Sequence, residues 1–463
     1  MLKLGGLNTL QSVNPSNYQP LGEVEVSKPG EVWTKVQDAR RAARQWAALG
    51  VAGRVEIMRQ AVAEFAEQKD VFAVMESREM GMPISEALVD YDGVLQFANW
   101  YLDNAEKYLG PETTFESETE IHQVYREPIG VAAVIIPWNY PFLNFVWGTF
   151  QSLLAGNTVV LKHSEEVPLC GKLIEDVMTR NLPEGVFSEV YGDGDVGRML
   201  VHHDINLLGF VGSTKTGKRL YQLAGEKFIK AVMELGGSAP GIVFDDADVD
   251  AAVASIRDFR LSNNGQYCDG LKRLIVQEGA WSEVVNKLAA VFSARRIGVA
   301  DADTTESGPL VAKRQLNLLV SQIDDATEKG AGLAAGGKSL EANLGGAFHQ
   351  PTILTNVTKE MRVWKEEVFG PVLPVMTFRT EDEAIRLANG TSYGLGSYVY
   401  TTNPERATRV AAQLQTGMVS VNGTNYTTPW NPFGGYKNSG IGREHGKYGF
   451  HELTQPKVVA RPK

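Results

Sequence analysis

An α/β fold is predicted by three observations. Short apolar runs alternate with helical patterns from residue 130 to about 237, a second alternating series begins at Ala239, and 47 glycines among 463 residues supply turns and close backbone approaches. Hydrophobic residues make up 43% of the chain and charged residues 22%, the balance of an ordered globular protein rather than a disordered one. By length alone the chain is predicted to hold about three domains.

From about Val36 to Lys107 apolar residues recur on one helical face: Ala39, Ala42, Ala43 and Trp46, then Ile57, Ala61 and Phe65, then Val94, Phe97 and Tyr101. These read as packed helices. Residues 113–125 alternate polar and apolar side chains with threonines and aromatics, which predicts an exposed antiparallel strand in want of a partner. The apolar runs 131–136, 158–161, 187–191, 207–210 and 230–234 are separated by helix-like segments, the signature of a parallel sheet with crossover helices. A second α/β unit is read from the runs 239–244, 274–277, 372–378 and 398–400. Residues 331–346 are rich in glycine and alanine and predict an irregular surface loop. No internal repeat or low-complexity segment interrupts the chain.

The formal net charge of −10 argues against a general nucleic-acid or anionic-membrane surface, since both need a basic face. Only Cys170 and Cys268 are present, too few for a disulfide framework, which points to a reducing compartment and hence the cytoplasm. Residues 1–6 carry no sustained apolar run after a basic region, so no secretory signal is expected. The longest apolar stretch, 130–138, meets Pro137 and falls far short of the roughly 20 residues of a spanning helix.

The segment Leu261-Ser262-Asn263-Asn264-Gly265-Gln266-Tyr267-Cys268 sets a thiol on a glycine-containing polar turn. Glycine removes the steric wall beside the sulfur, which suits a nucleophile, yet free cysteines are also among the commonest small buried hydrophobes. The octapeptide alone supports both readings equally. Gly192-Asp193-Gly194-Asp195-Val196-Gly197 has the form of a dinucleotide fingerprint, but two carboxylates beside a pyrophosphate are the wrong charge, so a structural turn is favoured. Phe210-Val211-Gly212-Ser213-Thr214 is a better anion candidate, a strand followed by a capped helix start, with a plain capped helix as the equal alternative. In Pro137-Trp138-Asn139-Tyr140-Pro141 the prolines fix a turn whose Asn139 amide is a suitable oxyanion donor; as an isolated residue it would be structural. Glu234-Leu235-Gly236-Gly237 leaves a carboxylate at a strand end, a general base if desolvated and otherwise a solvated glutamate. No metal-ligand set is read.

Taken together and in order, these segments resemble the aldehyde dehydrogenase superfamily. The resemblance includes Lys162-His163-Ser164-Glu165, Glu366-Glu367-Val368-Phe369-Gly370-Pro371 and Pro432-Phe433-Gly434-Gly435-Tyr436-Lys437-Asn438-Ser439-Gly440, and covers almost the whole chain. It implies that Cys268 is the thiolate that attacks an aldehyde, that Asn139 with the Cys268 backbone N–H forms the oxyanion hole, and that Glu234 activates the water that releases the acid. It also implies that Lys162 and Glu165 hold the adenosine ribose, that Gly212 and Ser213 meet the pyrophosphate, that Glu367 and Phe369 position the nicotinamide ribose, and that Pro137 and Trp138 border the cofactor. A carboxylate at Glu165 favours NAD, with NADP possible because Lys162 stands near. Gly93, Tyr140, Trp147, Tyr267 and the segment 424–430 with Trp430 are expected to line or approach the aldehyde channel. Having no arginine, they suit a neutral aliphatic or aromatic aldehyde.

The pattern departs from the family at Leu261, His163, Val211 and Ser238, none of which removes a group the chemistry needs. Asp269, directly after Cys268, is the more consequential departure, because a nearby anion disfavours a thiolate. The alternatives are a semialdehyde dehydrogenase, for which Arg260 is the nearest cationic anchor in sequence, or an aminoaldehyde dehydrogenase using Asp92 or Asp269. A CoA-acylating enzyme is opposed by Glu234, and a thiol hydrolase or a non-catalytic protein by the intact motifs. The implied architecture is a Rossmann-like cofactor domain over 1–110 and 129–236, a catalytic domain over 237–448 and an oligomerisation arm over 111–128 and 449–463, assembled as a homodimer or homotetramer.

Overall fold

The computed structural model describes residues 9–463; the signal-peptide reading of residues 1–6 lies outside them. A hairpin not anticipated from the sequence, β1 (Thr9–Asn14) and β2 (Gln19–Glu25), precedes four helices. These are α1 (Pro29–Ala48), α2 (Gly50–Glu67), α3 (Lys69–Met80) and α4 (Ile84–Leu109). Pro29 sits at the first position of α1, where its missing N–H costs nothing, and Gly81 ends α3 in the left-handed conformation at φ 91°. The apolar stripe read in the sequence is the packed face: α4 buries Tyr91, Val94, Phe97 and Tyr101.

The strand expected over 113–125 is a hairpin. β3 (Glu112–Glu116) and β4 (Glu120–Pro128) pair antiparallel, and the Ser117 hydroxyl accepts the N–H groups of Thr119 and Glu120 at 3.3 and 3.2 Å to close the turn. Alternation continues through such a turn, so periodicity could not reveal it.

Next comes the parallel sheet: β5 (Val131–Ile135), α5 (Pro141–Leu154), β6 (Thr158–Lys162), α6 (Pro168–Asn181), β7 (Phe187–Glu189), α7 (Gly194–His202), β8 (Leu207–Val211), α8 (Thr214–Glu226) and β9 (Lys230–Glu234). Both faces are covered. β5 sends Ala132 and Val134 into the core shared with α2, α4 and α5, and Val131, Ala133 and Ile135 into the core under α1, α7 and α8.

The second sheet and its helices follow: β10 (Ala239–Val243), α9 (Val249–Leu261), β11 (Leu271–Gln277), α10 (Trp281–Ser293), α11 (Lys313–Glu328), β12 (Gly332–Ala335), α12 (Glu341–Leu344), β13 (Thr352–Thr355), α13 (Arg362–Lys365), β14 (Val372–Phe378), α14 (Glu381–Asn389), β15 (Tyr398–Tyr400), α15 (Pro404–Gln413) and β16 (Ser420–Val421). The chain ends with β17 (Gly440–Ile441), α16 (Gly446–Glu452) and β18 (Thr454–Pro462). The second sheet has seven strands in the order β12-β13-β14-β11-β10-β15-β16, parallel except for β12. The irregular loop expected over 331–346 is corrected here: it contains the edge strand β12 and the single turn α12, held by backbone pairing to β13 that small side chains do not announce. β17 crosses back to pair antiparallel with β9, so the first sheet reads β17-β9-β8-β5-β6-β7. β18 pairs along the whole of β4, completing a three-stranded antiparallel sheet.

Candidate active site

The first sheet changes direction between β5 and β8: β6 and β7 lie on one side of β5, β8 and β9 on the other. Crevices open at the carboxyl ends of parallel strands where the order reverses, and the candidate residues follow those ends. Lys162 closes β6 opposite Ile135, and Glu234 closes β9 opposite Val211. Pro137 and Trp138 continue from β5, Gly212 and Ser213 from β8. Ser213 caps α8, its hydroxyl accepting the Thr216 N–H at 3.4 Å. Lys162 lies 3.4 Å from the Glu165 carboxylate. His163, the departure in this motif, is buried against Glu189.

Cys268 follows α9 on a loop with three consecutive left-handed residues, Asn263, Asn264 and Gly265, at φ 46°, 53° and 74°. Asparagine tolerates this region and here earns it by tertiary bonds. The Asn263 amide donates to the Asn139 carbonyl at 2.7 Å, the Asn264 amide to the Gly308 carbonyl at 2.8 Å, and the Asn263 N–H to Glu86 at 2.6 Å. A side chain at Gly265 would lie 2.4 Å from the Gly370 carbonyl, so only glycine fits. The Asn139 amide donates to the Gln266 carbonyl at 3.0 Å, and its second N–H has no hydrogen-bond partner among the described residues. Lys272, unread in the sequence, donates to the Cys268 and Gly237 carbonyls at 2.8 and 3.1 Å and pairs with Glu367. Its ammonium also lies over the Phe369 ring, 4.9 Å from the centroid. A cation fully inside an apolar strand has no periodic signature.

Three ionisable groups converge. Burial pushes the Glu234 carboxyl well above the usual range, Glu444 and Asp269 push the same way, and Arg443 opposes them; neither carboxylate oxygen has a hydrogen-bond partner among the described residues. Burial holds the Asp269 carboxyl up, against hydrogen bonds that draw it down, among them that of the Thr427 hydroxyl, which donates to it at 3.1 Å. Burial, then the Asp269 anion, pushes the Cys268 thiol well up, with Lys272 opposing. The thiol lies 3.7 Å from Asp269 Oδ1.

Two cavities meet at Cys268, Asn139 and Asn144. On one side a cleft lined by Pro137, Trp138, Gly212, Ser213, Glu234, Glu367 and Phe369 adjoins a further stretch lined by Lys162 and Glu165, the two sharing Pro137, Trp138, Gly212 and Ser213 as walls. Every residue assigned to the cofactor from the sequence faces one or both of these adjoining stretches. Gly194, Asp195 and Gly197 of the fingerprint-like motif border its far end, but Asp193 caps α7 by accepting the Asp195 N–H at 2.9 Å, a turn role. Arg198, Arg219 and Arg314 join this cleft without having been anticipated. On the other side the cavity is lined by Tyr140, Trp147 and Tyr267, by Asn425 and Thr427 of the segment 424–430 and by Asp269, together with Leu143, Asp258 and Phe259, which were not anticipated. Two residues expected to line or approach the channel are not in this lining: Gly93, on α4, and Trp430, which is 54% exposed. Asp92 is taken up by Lys69, and Arg260 is buried under the Val368 and Gly370 carbonyls.

Against known proteins, the model of the aldehyde dehydrogenase family matches residues 4–459. A succinate-semialdehyde dehydrogenase [NADP(+)] of Deinococcus radiodurans is 37% identical over 97% of this chain and 94% of its own. The peroxisomal aminoaldehyde dehydrogenase 1 of Pisum sativum is 37% identical over 98% of this chain and 92% of its own. Among solved structures, the NAD+ complex of an aldehyde dehydrogenase from Bacillus cereus superposes with a TM-score of 0.94 at 33% identity, covering 98% of this chain and 93% of that one. A family match along nearly the whole chain, a shared fold and a thiol at the meeting point of two cavities have one common reading: the chain belongs to the aldehyde dehydrogenase family and is an oxidoreductase enzyme.

Proposed function

We propose that the protein oxidises an aldehyde to a carboxylic acid with NAD as the preferred acceptor and NADP accepted, through a thioester on Cys268 that water hydrolyses. The observation that carries this reading is the junction of the two cavities, where Cys268 and Asn139 face both and Glu234 faces the cofactor side alone. An aldehyde entering beside Tyr140 and Tyr267 meets the sulfur. Its oxygen then lies by the free Asn139 N–H, and charge developing there is stabilised by a donor already in position. Bound in the opposite cleft, a nicotinamide dinucleotide supplies the hydride acceptor. Glu234, desolvated and without a hydrogen-bond partner among the described residues, has the raised basicity to take a proton from the attacking water.

The cleft fits a dinucleotide on its own chemistry. The α8 N-terminus faces it, Lys162 and Glu165 stand together as a donor and acceptor pair for vicinal hydroxyls, and a side chain at Gly236 would come within 2.3 Å of Glu367, keeping the floor open. Glu165 disfavours a 2′-phosphate. Arg219, with no ion pair among the described residues, and Arg198 supply the positive charge that lets NADP bind too.

For the aldehyde, a neutral aliphatic or aromatic compound suits the aromatic lining. A second reading is favoured by Asp258 and Asp269, which line the cavity with no lysine or arginine among its walls and so extend the range to aminoaldehydes. Overall likeness does not decide, since relatives named for a semialdehyde and for aminoaldehydes are equally identical. The arm formed by β18, β4 and β3 has free edges at β18 and β3 and exposed Phe115 and Val458, which supports self-association through it as a homodimer or tetramer. Two free cysteines support a cytoplasmic setting, and no helix among the described residues is long and apolar enough to cross a membrane.

The test is NADH formation with neutral, amino and carboxylated aldehydes, each with and without CoA. Turnover without CoA on neutral and amino aldehydes is expected. Strict dependence on CoA would move the assignment to thioester transfer, and silence across the panel would remove it.

A further inference from the structure

The step that precedes oxidation, removal of the Cys268 proton, has two candidate acceptors in this site. Glu234 forms no hydrogen bond with any group among the described residues, the thiol included. Asp269 does: its Oδ1 lies 3.7 Å from Sγ, within the range for a sulfur donor, while Oδ2 is anchored by the Thr427 hydroxyl at 3.1 Å. The backbone fixes the carboxylate further, because the Tyr398 hydroxyl donates to the Asp269 carbonyl at 2.8 Å and Tyr426 to the same oxygen at 3.3 Å. We propose that Asp269 is the base that takes the proton of the Cys268 thiol, leaving Glu234 to the water step.

The inference rests on Cys268 being the nucleophile of the reaction proposed above. In the step, the S–H bond breaks and the proton passes to Asp269 Oδ1. The sulfur electron pair forms the C–S bond, and the carbonyl π pair moves to oxygen beside Asn139. Nothing is oxidised or reduced. Burial makes the carboxyl a stronger base than an ordinary aspartate, although the same burial also holds the thiol proton more tightly, so the contact at 3.7 Å and not the basicity carries the assignment. The same anion opposes a free thiolate, so the pair is built to move the proton during attack rather than to hold a standing charge. The other ionisable groups around it are Lys272, Glu367, Glu234, Tyr267, Tyr398 and Tyr426.

These two effects of Asp269 make opposite predictions for one measurement. The full-length protein is treated with iodoacetamide, without aldehyde or cofactor, and alkylation of Cys268 is followed from pH 6 to 9 by peptide mass spectrometry. If Asp269 is the base, D269N slows alkylation near pH 7 by about 10²-fold, the scale of general-base assistance, and D269E restores most of it. If Asp269 is only a repelling neighbour, D269N speeds alkylation, and that result, or an unchanged rate, overturns the proposal. Loss in Glu234→Gln in place of D269N overturns it as well. Should D269N fail to fold, Thr427→Val decides, because it keeps the carboxylate and removes its anchor: a rate lower by roughly threefold supports the assignment, and an unaltered or faster rate overturns it. Aldehyde oxidation is scored separately on the same preparation. Asp269-dependent alkylation with no turnover on any aldehyde would leave the base supported and remove the proposed reaction instead.

Discussion

The two sides of Cys268 differ in charge and in construction. The cofactor cleft gathers Lys162, Arg198, Arg219 and Arg314 around strand ends of one parallel sheet. The aldehyde cavity holds Asp258 and Asp269, no cation, and walls drawn from α5, α9, the loop before β11 and the segment after β16. That difference in charge suits the proposed anionic dinucleotide on one side and, on the other, the proposed neutral or amino aldehyde better than a carboxylated one. The thiol sits where the two regimes meet.

The sharpest way to break the comparison is to remove the junction. Cys268→Ala is expected to lower aldehyde oxidation by at least about 10⁴-fold while leaving dinucleotide binding, read by NADH fluorescence titration, within about twofold of the parent. An active variant would mean that the cavities meet at the wrong residue. On the cofactor side, Glu234→Gln is expected to slow thioester hydrolysis about 10²- to 10³-fold, with the first-turnover burst of NADH retained. The sign of the pH dependence follows from its surroundings. A carboxyl held above its ordinary range by burial and by Glu444 works only once deprotonated, so hydrolysis rises with pH through that raised value and then levels. Glu234→Gln should flatten the rise, whereas equal loss in burst and steady state would refute the division of labour.

The contrast also explains what the sequence disclosed. The cofactor residues read from the sequence lie at or just after the ends of strands that their own apolar runs announced, or on a motif such as Glu367 to Phe369, whereas Arg198, Arg219 and Arg314 come from α7, α8 and α11 and carried no such signal. The aldehyde side was only partly legible. Tyr140, Trp147 and Tyr267 were found, and Asn425 and Thr427 fell inside an expected segment, but Gly93 and Trp430 do not join the wall while Asp258 and Phe259 do. Those last two sit near the end of α9, and nothing in a helical period says which turn will face a cavity closed by residues more than a hundred positions away. Lys272 and Arg273 are the clearest omission. In Leu-Lys-Arg-Leu-Ile-Val-Gln they look like the polar half of a strand, yet both are fully buried, held by carbonyls and by Glu367 that only the tertiary fold brings near.

A subtler test sharpens the cofactor side. Glu165 stands beside Lys162 in a lining that also holds Arg198, Arg219 and Arg314, and its carboxylate favours a ribose hydroxyl over a phosphate. Glu165→Gln is expected to shift the ratio of kcat/KM for NADP over NAD by roughly tenfold toward NADP, mainly through KM. A ratio that stays put would transfer discrimination to the arginines and remove Glu165 from the assignment.

The smallest effect belongs to the aldehyde mouth. Asp258 is exposed and already shares its charge with Arg257, whose Nε lies 2.7 Å from the carboxylate, so its pull on an entering cation is weak and screened by salt. Asp258→Asn removes one anion and leaves Arg257 unneutralised beside the entrance. For an aminoaldehyde kcat/KM should fall roughly twofold at low ionic strength and recover in high salt, for a neutral aldehyde it should not change, and for a carboxylated one it should rise slightly. The three aldehydes are best measured side by side, since only their ordering separates a charge effect from a general loosening of the loop. If all three fall together, the mouth acts by shape, and the polarity across Cys268 is carried by Asp269 and the arginine cleft alone.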